Sequence, residues 1–253
     1  MFFLLASNPF LQAYTESDLL GKLIFIGLIA LSIITWSVFV HKLWITRKVK
    51  KESLTFRKAF FEQKQNPLEI HYETNGAKGT SRPNPECPNA FSIIYEVIKT
   101  KTNELLDKNQ KLAPQALKKN NTQLGYLSAS DVALLDAAAE SAIATLTKYL
   151  DKNLYLLSTV VTLAPFLGLL GTVWGILITF SGMQTDMGAA SNQVVLGGLS
   201  LALTTTVLGL VNAIPAVISY NYLKNSVHDF DSEMSRFAND VLSSIELHYR
   251  KVD

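Results

Sequence analysis

The 253 residues contain one cysteine, Cys87, which excludes an internal disulfide and a cysteine-built zinc cluster. It sits in a stretch rich in proline and asparagine and reads as an incidental loop thiol. The four histidines, His41, His71, His228 and His248, are scattered without ligand spacing, so neither a metal nor a cofactor is expected. No nucleophile with a base, no metal set and no phosphate loop is visible, which argues against an enzyme. The net charge is only +2, and no sustained basic face or nucleic-acid motif stands out, so nucleic acid is not expected as a partner. The opening MFFLLASNPF has neither the positive charge of a secretory signal nor a small-residue cleavage pattern after it, and is expected to be retained.

The most telling absence is of charge over long distances. Residues 23–40, 154–183 and 187–223 carry no Asp, Glu, Lys, Arg or His. A helix needs roughly 17–25 residues to cross the hydrocarbon core, so all three runs are predicted to span a membrane. Lysine and arginine near span ends mark the cytoplasmic side. Of the 23 basic residues, 18 lie between His41 and Asn153, four follow Leu223, and only Lys22 falls elsewhere. The first twenty residues and the turn QTDMGAASN have none. The chain is therefore expected to be a multi-pass membrane protein with its amino terminus outside and its carboxyl terminus in the cytoplasm.

The expected fold is all-α, with the second and third spans extended into the cytoplasm. Its predicted parts are a periplasmic segment 1–21, a first span in 22–45, and a cytoplasmic helical region 46–128 with a loop at 71–90. They continue with a long helix 129–183 holding the second span, a periplasmic turn 184–192, and a long helix 193–253 holding the third span and the tail. Within 46–128, a basic helix precedes the Gly-, Pro- and Asn-rich loop, and Phe91, Ile94, Val97 and Ile98 recur at helical spacing after it. A further break is expected around Pro114 and residues 120–125. Residues 129–164 lack Gly and Pro, and Val132, Leu135, Ala139, Ala142, Leu146 and Leu150 mark one face. At about 1.5 Å per residue, that predicts one uninterrupted helix longer than about 50 Å. Beyond Pro215, Leu223, Val227, Phe230, Met234, Phe237 and Val241 follow a three-four spacing, which suits either packing within the chain or contacts between subunits.

Small residues are patterned inside the spans. Gly168, Gly175 and Gly182 recur every seven residues, as do Ser158, Pro165, Thr172 and Thr179, while Gly171 lies between them. In the third span, Ala202, Thr206, Gly209, Ala213 and Ala216 form a small stripe, and Gly198, Thr205, Asn212 and Ser219 a more polar one. Such stripes let membrane helices approach closely, with hydroxyls bonding across the contact. Thr172, Thr204, Thr205, Thr206 and Asn212 fall at similar depth in two successive helices, which also suits a hydrated path or a bound partner helix. Pro165 and Pro215 each free a backbone carbonyl. An ion relay needs a titratable group, and the spans hold none, so a second chain is expected to supply it.

The segments LAPFLGLLGTVWGILITF at 163–180 and TTTVLGLVNAIPAVISYN at 204–221 resemble the MotA/TolQ/ExbB proton channel family, closer to TolQ and ExbB than to MotA. The resemblance implies a homo-oligomer, a pentamer, whose second and third helices enclose a pore. That pore would hold the single spans of a TolR- or ExbD-like partner, whose aspartate carries the proton. A TolA- or TonB-like protein and the lipid bilayer complete the implied partners. The implied function is energising envelope processes or outer-membrane transport with the proton-motive force; the alternative is a non-conducting scaffold for partner proteins. Thr172 and Thr206 map onto the family's pore-facing threonines, joined as candidates for the ion path or partner contact by Thr205, Asn212, Thr179, Pro165 and Pro215. Gly168, Gly171, Gly175 and Gly209 are the helix-packing candidates. Relatives commonly carry a glutamate five positions before the span-three threonine, where this chain has Leu201, and the 71–90 loop looks like an insertion.

Overall fold

The computed structural model describes residues 9–62, 68, 89–112, 126–185 and 189–249. Six helices account for nearly all of them: α1 Pro9–Glu16, α2 Leu19–Glu62, α3 Ala90–Leu112, α4 Ala129–Asp151, α5 Leu154–Thr185 and α6 Ala189–Tyr249. Three of these, α2, α5 and α6, are long and apolar enough to cross a membrane. The chain is an all-α integral membrane protein. Cys87, His71, Pro114 and residues 120–125 lie outside the described residues, as do all but the last two positions of the 71–90 loop. Ala90 already belongs to α3, whose start is capped by the Asn89 side chain accepting from the Ser92 N–H at 3.2 Å. Of the turn expected at 184–192, residues 186–188 lie outside the described set, and its remaining residues are helical.

One expectation is corrected. The single helix anticipated through 129–183 is broken at Lys152 and Asn153, between α4 and α5. Asn153 has φ 72°, in the left-handed region. Asparagine tolerates that conformation better than other residues with a β-carbon, so a helix can end there without glycine. The Lys152 N–H still bonds the Lys148 carbonyl at 3.1 Å, and the Asn153 carbonyl accepts from Leu156 at 3.2 Å to start the next helix. Absence of Gly and Pro was therefore an incomplete test of continuity.

The contacts divide the chain into two units, residues 1–42 with 153–224, and residues 43–152 with 225–253. In the first, pairs such as Gly168 with Thr206 and Gly175 with Gly198 make α5 and α6 antiparallel. Gly21 meets Leu201, and Asn212 bonds Leu28, so α2 runs parallel to α6. Ile24, Leu28, Val160, Ala164, Ala213 and Ala216 form the cluster where the three helices meet. The large side chains point away: Phe166, Val173, Phe180, Leu203, Ile214 and Ile218 are exposed. An apolar exterior around a core of small residues is what a bilayer permits, since lipid supplies no penalty for exposed hydrocarbon.

The second unit has an aromatic core. Phe91 stacks on Phe237 with ring centroids 4.7 Å apart and on Phe230 at 5.7 Å, while Phe56 and Phe60 meet Phe237 edge-on. The three-four series Leu223, Val227, Phe230, Met234, Phe237 and Val241 is buried within the chain, which settles its packing role. On α4 the buried face is Leu135, Ala139, Ile143, Leu146 and Leu150; Ile143 replaces the expected Ala142, and Val132 is half-buried. Lys50 of α2 pairs with Glu233 of α6 at 2.8 Å.

The start of α4 is a capping box in which Ser128 and Asp131 bond each other's backbone N–H. Asn109 of α3 joins it, donating to Asp131 Oδ2 at 2.9 Å and to the Tyr126 carbonyl at 3.0 Å. Burial alone would raise the Asp131 pKa, but hydrogen bonds from Ser128 and Asn109 together with the charge of Lys108 outweigh it and hold the carboxyl below its usual value. A depressed carboxylate stabilises the fold fully above the unfolded pKa near 4 and loses that stabilisation as pH falls through the folded one. Ser128→Ala is expected to cost about 1 kcal/mol. Amide exchange at the start of α4 should rise in that variant, and in the wild type it should rise on acidification below about pH 4 while Asp131→Asn shows little further change.

Candidate functional site

Part of the candidate set meets at the contact between α5 and α6: Gly168, Gly171, Gly175, Gly209, Thr179, Thr205 and Thr206. A β-carbon on Gly168 would lie 3.1 Å from the Thr205 carbonyl oxygen and 3.2 Å from Thr206 Cα. On Gly209 it would lie 2.7 Å from the Ala164 carbonyl oxygen, on Gly175 it would run into the Gly198 carbonyl oxygen, and on Gly171 into the Thr205 side chain. At Gly175 and Gly209 backbone meets backbone, and a side chain larger than hydrogen would force the helices apart; at Gly168 the neighbours would have to give by a few tenths of an ångström. Gly168, Gly171, Gly175 and Gly209 thus all face the partner helix of the same chain, with Gly198 as a fifth member.

Of the threonines, Thr205 is fully buried and donates to the Leu201 and Ala202 carbonyls at 2.9 and 3.1 Å. Thr179 donates to the Gly175 carbonyl at 2.9 Å. Thr172 is half-buried and donates to the Leu169 carbonyl at 2.6 Å, which leaves its oxygen lone pairs as acceptors. Thr206 differs from all of these. Its hydroxyl lies 3.3 Å from the Gly168 carbonyl on α5 and 3.3 Å from the Ala202 carbonyl on α6, both long for a hydroxyl bond. It is half-buried and loosely held.

Asn212 reaches in another direction. Its Nδ2 donates to the Leu28 carbonyl of α2 at 2.8 Å and is buried there, tying the first span to the third. Pro165 and Pro215 both sit inside unbroken helices and are half-buried. Each removes the N–H that would bond the carbonyl four residues earlier, at Val161 and Val211. Leu201 is 1% exposed and clusters with Ala13 and Phe25. An ionised glutamate in that apolar pocket would be costly, so leucine suits its surroundings.

Two residues of this region escaped the sequence reading. Asp18 precedes α2 and accepts through Oδ1 from the Gly21 N–H at 3.0 Å, as a cap. Its Oδ2 accepts from the Trp174 indole at 3.0 Å, linking the start of the first span to the second. An aspartate just before an apolar helix was a legible cap signal. Its partner in the GLLGTVWG run was not, because the two are far apart in sequence.

A model of the MotA/TolQ/ExbB proton channel family matches residues 92–236, more than half the chain and including the whole glycine seam. The chain is similar to the biopolymer transport protein ExbB of Salmonella typhimurium, 28% identical over 233 residues, covering 90% of this chain and 83% of that protein. It is likewise similar to the Tol-Pal system protein TolQ of Haemophilus influenzae, 28% identical over 235 residues, covering 93% and 92%. Over 86 residues it is 46% identical to ExbB of Aquifex aeolicus, covering 34% of this chain and 57% of that one. With the family model spanning α6 through its third-span threonines and most of its tail, the chain belongs to the MotA/TolQ/ExbB proton channel family.

Proposed function

We propose that this chain is the channel-forming subunit of an inner-membrane motor that uses the proton-motive force. It acts as a homo-oligomer around a TolR- or ExbD-like single-span partner and passes work to a TolA- or TonB-like protein. Members of the family of this kind are transport-energising membrane subunits rather than enzymes. The amino terminus faces the periplasm and the carboxyl terminus the cytoplasm, in keeping with the basic residues of 41–153. Each charge that crosses contributes about 2.3 kcal/mol per 100 mV.

The observation that carries this reading is the loosely held Thr206 hydroxyl at the α5–α6 contact. Exchanging two long bonds for one to a carboxylate costs little, and hydrogen bonds to charged groups are the stronger ones. Thr172, its donor already committed, can accept from a protonated carboxyl or from water. Between them they can serve both protonation states of a partner's acid. Thr205 and Asn212 support the walls of such a path, because their side chains bond within the chain.

Thr172→Val with Thr206→Val, in the complex with the single-span partner, is expected to lower proton flux about 10- to 100-fold, the loss that follows from one hydrogen bond to a charged group. Unchanged flux through a correctly assembled double variant would remove both threonines from the path. A scaffold that conducts nothing predicts instead that partner conformation and envelope function are indifferent to dissipating the proton gradient.

A further inference from the structure

Beyond the end of the first apolar run at residue 40, α2 continues for more than twenty residues, and its two faces differ sharply. One face, Thr46, Val49, Ser53, Phe56 and Phe60, is buried in the second unit. The opposite face carries Trp44, Arg47, Lys48 and Lys51 at helical spacing, bordered by Glu52, four residues past Lys48. Trp44 is 59% exposed, and Lys48 Nζ stands over its ring, 5.0 Å from the centroid. Among the described residues, the α6 carboxylates facing α2 are occupied elsewhere: Glu233 with Lys50 and Asp240 with Arg57. Among the described residues no ion pair is formed by Arg47, Lys48 or Lys51, so the stripe keeps a net positive charge of two even with Glu52 beside it.

Where it sits along the helix decides what that is. At about 1.5 Å per residue, Trp44 lies about 6 Å beyond residue 40, Arg47 and Lys48 about 10 to 12 Å, and Lys51 about 16 Å. The headgroup layer extends roughly 5 to 8 Å past the hydrocarbon, and long basic side chains reach back by several more. Trp44 is thus at the level where indole rings settle, and the three cations are within reach of lipid phosphates. We propose that Trp44, Arg47, Lys48 and Lys51 form a binding face for the headgroups of acidic phospholipids in the bilayer that α2 crosses. The tryptophan seats against the glycerol region and holds Lys48 over it, while Arg47 supplies a planar fork for a phosphate and Lys51 adds charge from the aqueous side. The face requires only that α2 spans a membrane and is independent of any ion path.

The test uses the full chain reconstituted in vesicles of equal phosphatidylethanolamine and phosphatidylglycerol, re-extracted in mild detergent, with retained lipid counted by mass spectrometry. Wild type is expected to retain phosphatidylglycerol selectively, and Arg47→Gln with Lys48→Gln and Lys51→Gln to reduce that selectivity at least about fivefold. A matched loss of charge on α3, Lys99→Gln with Lys101→Gln and Lys108→Gln, is expected to leave it intact. Equal selectivity in the first triple variant, or an equal loss in the second, overturns the proposal. So does displacement of the lipid by excess inorganic phosphate, which would make the face a site for any free anion. If the triple variant does not insert, Lys48→Gln alone is read in its place and must show a partial loss.

Discussion

Gly175→Val is expected to unpair α5 from α6, at a cost of at least about 3 kcal/mol, the upper end for an overpacked contact. The reason is the atom in the way. A side chain at position 175 meets the Gly198 carbonyl oxygen and Ala202, and a backbone carbonyl inside a helix cannot rotate aside as a flexible side chain would. Relief requires the helices to separate, which also costs the dispersion contacts at Gly168, Gly171 and Gly209 that depend on the same approach. In a detergent-denaturation titration the variant should unfold at markedly lower denaturant, and it should conduct nothing with its partner. Gly27→Ala is the control. There the nearest foreign atom, Leu167 Cδ1, would be 3.8 Å from the new methyl group, an ordinary contact. That variant should be neutral or gain up to about 1 kcal/mol from its better helix propensity. If the two variants behave alike, the seam is not what holds the spans together.

Phe237→Ala is expected to be the most damaging single truncation in the second unit, at about 3 to 5 kcal/mol. Phe237 is fully buried, stacked on Phe91, and in edge contact with Phe56 and Phe60, so its removal leaves a cavity touching α2, α3 and α6 together. Aromatic pairs contribute about 0.5 to 1.5 kcal/mol beyond the area they bury, so Phe237→Leu should recover only part of the loss. Amide protection should fall most in the first half of α3, where Phe91, Ile94, Tyr95 and Ile98 are buried and Phe91 stacks on Phe237. Unchanged protection there would mean that α3 is held by something other than this cluster.

The span helices and the buried seam of the tail were legible because each depends on a local rule. A run without charge needs no partner to be recognised as a span, and the spacing from Leu223 to Val241 repeats whatever it packs against. Which neighbour a face meets is another matter. The tail seam read equally well as a contact between subunits until Phe91 was seen stacked on Phe230 and Phe237. The helix end at Asn153 was missed because the break uses a conformation that asparagine tolerates but rarely announces. The bond between Asp18 and Trp174 was missed because nothing local links them.

By itself the sequence determined the class of the protein, since three charge-free runs are each long enough to cross a bilayer and each must form its own helix there. It also determined the absence of any titratable side chain from those runs. Only the tertiary structure decided how the polar and small residues are shared out. Thr205 and Asn212 bond within the chain at 2.8 to 3.1 Å, the glycines face a helix of the same chain, and Thr206 is shared between two carbonyls at 3.3 Å. The physical reason is that a hydroxyl or an amide has one identity in sequence but several possible acceptors. Which one it takes depends on how closely two backbones approach, and that distance is set by the packing of all three spans at once.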